Sequence, residues 1–90
     1  MLRTRLIIEE AAELCIALHQ RDSIEVADAL ADLLYVVFGT AIAYGIPIGP
    51  VFEEVHRANM SKTPLNQHQK GGKGPGYEPP NLRKTLGLTP

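Results

Sequence analysis

Ninety residues allow one domain, and at this size folding hides only about 60–65% of the surface the unfolded chain exposes. The chain is 44% hydrophobic, mostly within residues 1–60, and carries a formal charge of −1. That balance excludes the basic footprint of a duplex nucleic-acid binder and leaves more apolar surface than a few short helices can cover, so self-association is expected. A lone cysteine, Cys15, excludes an intrachain disulfide and fits a reducing, cytoplasmic setting. No charged-then-apolar leader opens the sequence.

The first helix is expected over about 3–20, where Ile7, Ala11, Leu14 and Leu18 form an apolar stripe widened by Ile8, Ala12 and Cys15. Cys15 on that side reads as a small core residue. Glu9, Glu10 and Glu13 stand together on this helix at i,i+3 and i,i+4 spacings, where like charges disfavour an isolated helix. Glu10 and Glu13 border the stripe instead of opposing it. Taken alone, three glutamates on one helix are most often a solvated face, and acids in the first turns also gain from the helix dipole.

Asp22 or Ser23 caps a second helix expected over 23–44. The short connection makes the two helices antiparallel neighbours. From Ala29 to Tyr44 the second helix is apolar nearly all round, as in a helix buried on most sides. Asp28 and Asp32 interrupt it one turn apart, and an unpartnered buried carboxylate costs several kcal/mol or takes up a proton. Two stacked carboxylates call for a cation between them. The aspartates, with Gly39 and Thr40 in the apolar run, argue against a membrane span. Gly45 and Pro47 end the helix.

A third helix is expected over about 49–61, with Pro50 in its first turn and Val51, Phe52, Val55 and Met60 on its apolar side. From Thr63 the composition turns to glycine, proline and lysine. Residues 1–62 therefore read as a helical metal-binding region and 63–90 as an irregular arm of the same domain, with a last helical turn at 81–86. The arm lacks the spacing of a P-loop. His19, His56 and His68 have no metal-ligand spacing, and Glu53 and Glu54 read as surface acids.

Antiparallel packing can set Glu10 and Glu13 opposite Asp28 and Asp32. Such an oxygen-only set suits hard divalent ions, whose shells are completed by water and substrate phosphates, and four or more acids leave room for two of them. The segments Glu9-Glu10-Ala11-Ala12-Glu13 (E-E-x-x-E), Asp32-Leu33-Leu34-Tyr35-Val36, Phe52 to Lys62 and Gly76 to Leu82 together resemble the all-α nucleotide pyrophosphohydrolases. That superfamily includes MazG-like enzymes, dimeric dUTPases and phosphoribosyl-ATP pyrophosphohydrolases. The resemblance implies an all-α bundle completed as a homodimer or homotetramer. It implies Mg²⁺, with Mn²⁺ as a substitute, and cleavage of a nucleoside triphosphate between the α and β phosphates to give monophosphate and pyrophosphate.

The same resemblance puts Glu10, Glu13, Asp28 and Asp32 on the metal, and Glu9 or Glu10 as the proton acceptor. Asn59, Lys62 and Lys73 would serve the phosphates, and Tyr35 and Tyr77 the base. The family's second motif is E-x-x-D, but three residues before Asp32 stands Ala29. Asp28 can replace the missing glutamate; Glu25-Val26-Ala27-Asp28 also satisfies the motif one turn earlier. Phosphoribosyl-ATP enzymes typically carry histidine after the tyrosine of this motif, where this chain has Val36, which favours the MazG-like branch. A non-catalytic assembly module stabilised by metal is the reading of a different class. Neither duplex nucleic acid nor membrane is an expected partner.

Overall fold

The computed structural model describes residues 1–62 and 76–88. These residues are helical, with no strand among them: α1 is Leu2–Gln20, α2 Ser23–Tyr44, α3 Ile48–Met60 and α4 Leu82–Thr85. Two compact units, Met1–Gly45 and Ile46–Pro90, divide the chain.

The first unit is an α1–α2 hairpin made tight by two caps that share a junction. Arg21 ends α1 in the left-handed region (φ 56°), and its neighbour Asp22 donates its N–H to Ala17 O at 3.4 Å. Asp22 then starts α2, its Oδ1 accepting the N–H groups of Ile24 and Glu25 at 3.1 and 3.2 Å. Of the two candidate caps, Asp22 is the one used. Gly45 closes α2 at φ 66°, a conformation that costs glycine nothing and other residues about 1 kcal/mol or more.

Small residues line the contact between these helices. Ala17 in α1 and Ala29 and Ala41 in α2 are the buried apolar residues of the unit. Half-buried Leu6, Ile7, Ala11 and Leu14 from α1, and Leu33, Val36, Val37 and Thr40 from α2, complete it. Thr40 turns its hydroxyl back onto Val36 O at 2.6 Å, so its polar atom is satisfied within the helix. Two helices alone cannot surround α2: Ile24, Tyr35 and Ile42 remain 79%, 79% and 81% exposed. The sequence expectation of a helix covered on most sides is therefore unmet within one chain. Cys15 is likewise exposed, not a core residue, because the packed stripe of α1 runs through Ile7, Glu10, Leu14 and Ala17 and turns Cys15 outward.

In the second unit the C-terminal segment returns onto α3 through polar contacts. Arg57 donates twice to Glu54, at 3.0 and 2.9 Å, and also to Glu78 O at 3.3 Å and Pro79 O at 3.0 Å. Glu54 in turn accepts the Asn81 N–H at 2.7 Å. Ser61 Oγ accepts the Glu78 N–H at 2.9 Å. The Asn81 side chain caps α4 through the Lys84 N–H at 3.2 Å, which is the short final turn expected from the sequence. Glu54 is thus a docking residue, not a solvated surface acid.

Candidate metal centre

Glu10 and Glu13 lie one turn apart on α1, and the antiparallel hairpin brings Asp32 of α2 across to them. One oxygen from each of the three carboxylates falls within 4.8 Å of the others. Glu10 is half-buried, and its Oε2 is shut off from solvent without a hydrogen-bond donor. Burial, first, and the charges of Glu13 and Asp32, next, push the Glu10 carboxyl above its ordinary range; a close contact with Glu13 and the charge of Glu9 add to this. Removing water from an acid and surrounding it with like charge both penalise ionisation. The site as folded asks for positive charge at one place.

That place fits a hard divalent cation. Ligand oxygens about 2.1 Å from a Mg²⁺ ion stand roughly 3 to 4 Å from one another, a span comparable with the 4.8 Å within which this trio lies. The buried Glu10 oxygen, which no donor among the described residues reaches, fits such a ligand.

Asp28 is not among the three. It is exposed and, with Glu13, Glu25, Ile16, Gln20 and the buried Ala17 and Ala29, lines a neighbouring cleft. The helix face turned toward α1 carries Ala29, Asp32 and Val36, and Asp28 sits about 100° around the helix from Ala29. Glu9 is exposed beside Glu10, and Tyr35 is exposed one turn beyond Asp32. Asn59 and Lys62 belong to the second unit, where Asn59 is exposed and the Lys62 ammonium lies 5.7 Å from the centroid of the Tyr77 ring. Lys73 lies outside the described residues.

Two features went unread in the sequence. Glu54 and Arg57 carried a usable signal, an acid and a base at i,i+3. Arg3 packing on Gly39 carried only a weak one, a glycine inside a helix. By length and composition α2 would suffice to cross a membrane, but its Asp32 is committed to the acid cluster with α1.

No curated protein matches the chain. Residues 1–59 match the family model of phosphoribosyl-ATP pyrophosphohydrolase, a stretch that holds all three clustered acids and covers well over half of the sequence. The family named by the model is one of those in the superfamily that the E-E-x-x-E segment resembles, and the match falls on the phosphoribosyl-ATP branch although Val36 favours the MazG-like one. The chain belongs to the phosphoribosyl-ATP pyrophosphohydrolase family, enzymes that hydrolyse phosphoanhydride bonds.

Proposed function

We propose that this chain hydrolyses a nucleotide triphosphate at the α–β phosphoanhydride, releasing pyrophosphate, with Mg²⁺ held by Glu10, Glu13 and Asp32. The observation that carries this reading is the buried, donorless Glu10 Oε2 within a three-carboxylate cluster. A divalent ion bound there supplies charge neutralisation for the phosphates and acidifies a water for attack. The residues of the chain do the rest. Glu10, Glu13 and Asp32 fix the position at which phosphate oxygens gather. Glu9, exposed beside them, is free to take the proton of the attacking water. Asp28 and Glu25, across the cleft from Glu13, supply further negative charge in place of the glutamate that Ala29 replaces.

Two substrates present the same bond. A free nucleoside triphosphate suits Val36, which stands where a histidine is typical of the phosphoribosyl-ATP enzymes. Phosphoribosyl-ATP suits the family match over residues 1–59. Pyrophosphate release is measured from both classes, with Mg²⁺, with Mn²⁺ and with chelator. Metal-dependent release abolished by Asp32→Asn supports the reading, and the faster substrate decides the class. No release from either, by a folded protein, overturns it in favour of a metal-stabilised assembly module.

The protein works as a homo-oligomer in this reading. The exposed face of α2, with Tyr35, Phe38 and Ile42, is covered by a second copy. Each fully buried aliphatic or aromatic side chain of this size contributes about 1.5–3 kcal/mol.

A further inference from the structure

A second polar group lies in the α1–α2 groove without a partner. Arg3 is half-buried on the same stripe of α1 as Glu10, seven residues earlier, and reaches across to α2. Its Nη1 lies only 2.7 Å from the point where a Cβ on Gly39 would stand. Glycine is a poor helix residue, and here its missing side chain is the space the guanidinium fills. Among the described residues Arg3 makes no hydrogen bond or ion pair, and α2 carries no charged residue from Val36 to Gly45. A guanidinium offers five donors in a planar fork suited to phosphate; this one has no anion beside it.

The groove thus has two complementary ends. At one, three carboxylates converge; at the other, about 10 Å along the helix axis, stands a guanidinium with no acidic partner among the described residues. A metal-bound polyphosphate matches both in the right order. We propose that Arg3, seated on Gly39, binds the terminal phosphates of the substrate and makes the site select triphosphates over shorter phosphate chains. This rests on the pyrophosphohydrolase reading, extending it to the far end of the substrate.

The test uses Arg3→Met, Arg3→Lys and Gly39→Ala in the full chain. The Gly39→Ala methyl collides with the far end of a flexible side chain, so it displaces the guanidinium at little structural expense. Expected are a KM for the triphosphate raised about tenfold or more in Arg3→Met and Gly39→Ala, kcat changed far less, and a partial effect in Arg3→Lys, which keeps charge but loses the fork. Inhibition by Mg²⁺-tripolyphosphate should weaken in parallel, while inhibition by nucleoside monophosphate should not. An unchanged KM and unchanged tripolyphosphate inhibition in Arg3→Met overturn the proposal while leaving the enzyme reading intact. A melting temperature that falls in Arg3→Met with no change in KM assigns Arg3 to helix packing and also overturns it. If the wild type turns over no nucleotide, the thermal shift given by Mg²⁺-tripolyphosphate decides: present in wild type and lost in Arg3→Met, it supports phosphate binding; equal in both or absent, it refutes it.

Discussion

Glu10 on α1 and Asp32 on α2 meet across the hairpin with carboxylate oxygens inside 4.8 Å, although their charges repel. The sequence places them 22 residues apart, and only the antiparallel turn at Arg21-Asp22 joins them. Burial first, then the charges of Glu13 and Asp32, raise the Glu10 carboxyl above its ordinary value of 4.5. A group of this kind binds its proton more tightly folded than unfolded. Without metal, the contribution of Glu10 to stability is therefore most favourable below about pH 4.5 and is lost as pH rises through its folded-state value. Glu10→Gln should raise the melting temperature in chelator at pH 7, flatten that decline, and remove the stabilisation given by Mg²⁺. A variant that melts lower in chelator would show that the carboxylate is paired by something other than a cation.

Asp28 and Asp32 should differ sharply. Asp32 stands in the trio, whereas Asp28 faces the adjoining cleft. Loss of groups that support a metal without binding it typically costs about 10–100-fold, and loss of a ligand costs more. Steady-state rates should fall beyond about 100-fold in Asp32→Asn and by no more than about 10–100-fold in Asp28→Asn. Equal losses would make Asp28 a ligand on the same footing.

The difference between those two aspartates also marks where sequence reading stops. The three helices, their caps at Asp22 and Gly45 and the last turn after Asn81 are local matters of period and capping, and all were legible. Glu10, Glu13 and Asp32 were singled out together with Asp28, because acids bordering apolar surface on two neighbouring helices call for a cation that neither set calls for alone, and the structure brings the first three together. The rotation of α2 about its own axis was not, since one residue is worth about 100° and the apolar run surrounds the helix without marking a face. Only packing shows that Ala29, not Asp28, lies against α1. The contacts of Arg3 with Gly39 and of Glu54 with Asn81 depend on how distant segments are brought together, which local patterns such as a glycine inside a helix mark only weakly.

Docking of the C-terminal segment should depend on Arg57. Its guanidinium joins Glu54, Glu78 and Pro79, and Glu54 also receives the Asn81 N–H. The side-chain bonds from Arg57 foremost, then the Asn81 N–H, hold the Glu54 carboxyl down at about 2, from an ordinary 4.5. This depressed value favours the docked form above about pH 4.5, an advantage lost as pH falls from there through about 2. In Arg57→Ala, amide exchange at Asn81, Leu86 and Leu88 should quicken at pH 7, while exchange in α1 and α2 stays as in wild type. Unchanged exchange at Asn81 would show that α4 is held by other contacts.

Arg21 offers a test of the hairpin junction. It is the one non-glycine residue with positive φ among those described, at 56°, and it sits where helices commonly end in glycine. The left-handed conformation costs an L-residue about 1–2 kcal/mol, partly offset because glycine loses more freedom on folding. Arg21→Gly should therefore stabilise the fold by about 0.5–1 kcal/mol, a rise of a few degrees in melting temperature for a chain of this size. Arg21→Val, β-branched and ill-suited to positive φ, should destabilise it. If both variants melted with the wild type, the junction would have to relax out of the left-handed conformation in solution.

The uncovered face of α2 makes the last prediction. Ile42 and Tyr35 are 81% and 79% exposed, and the buried apolar residues among those described are all alanines. Alanine burial contributes far less than that of larger side chains, and chains this short fold alone only marginally. The folded chain should therefore sediment as a dimer or larger assembly at micromolar concentration. Ile42→Lys, placing a charge on this uncovered apolar face, should shift the mass toward the monomer and lower the melting temperature. Its dependence on protein concentration in the wild type provides the control, because association stabilises by mass action. A wild-type monomer with a concentration-independent melting temperature would mean that something other than a second copy must cover Tyr35, Phe38 and Ile42.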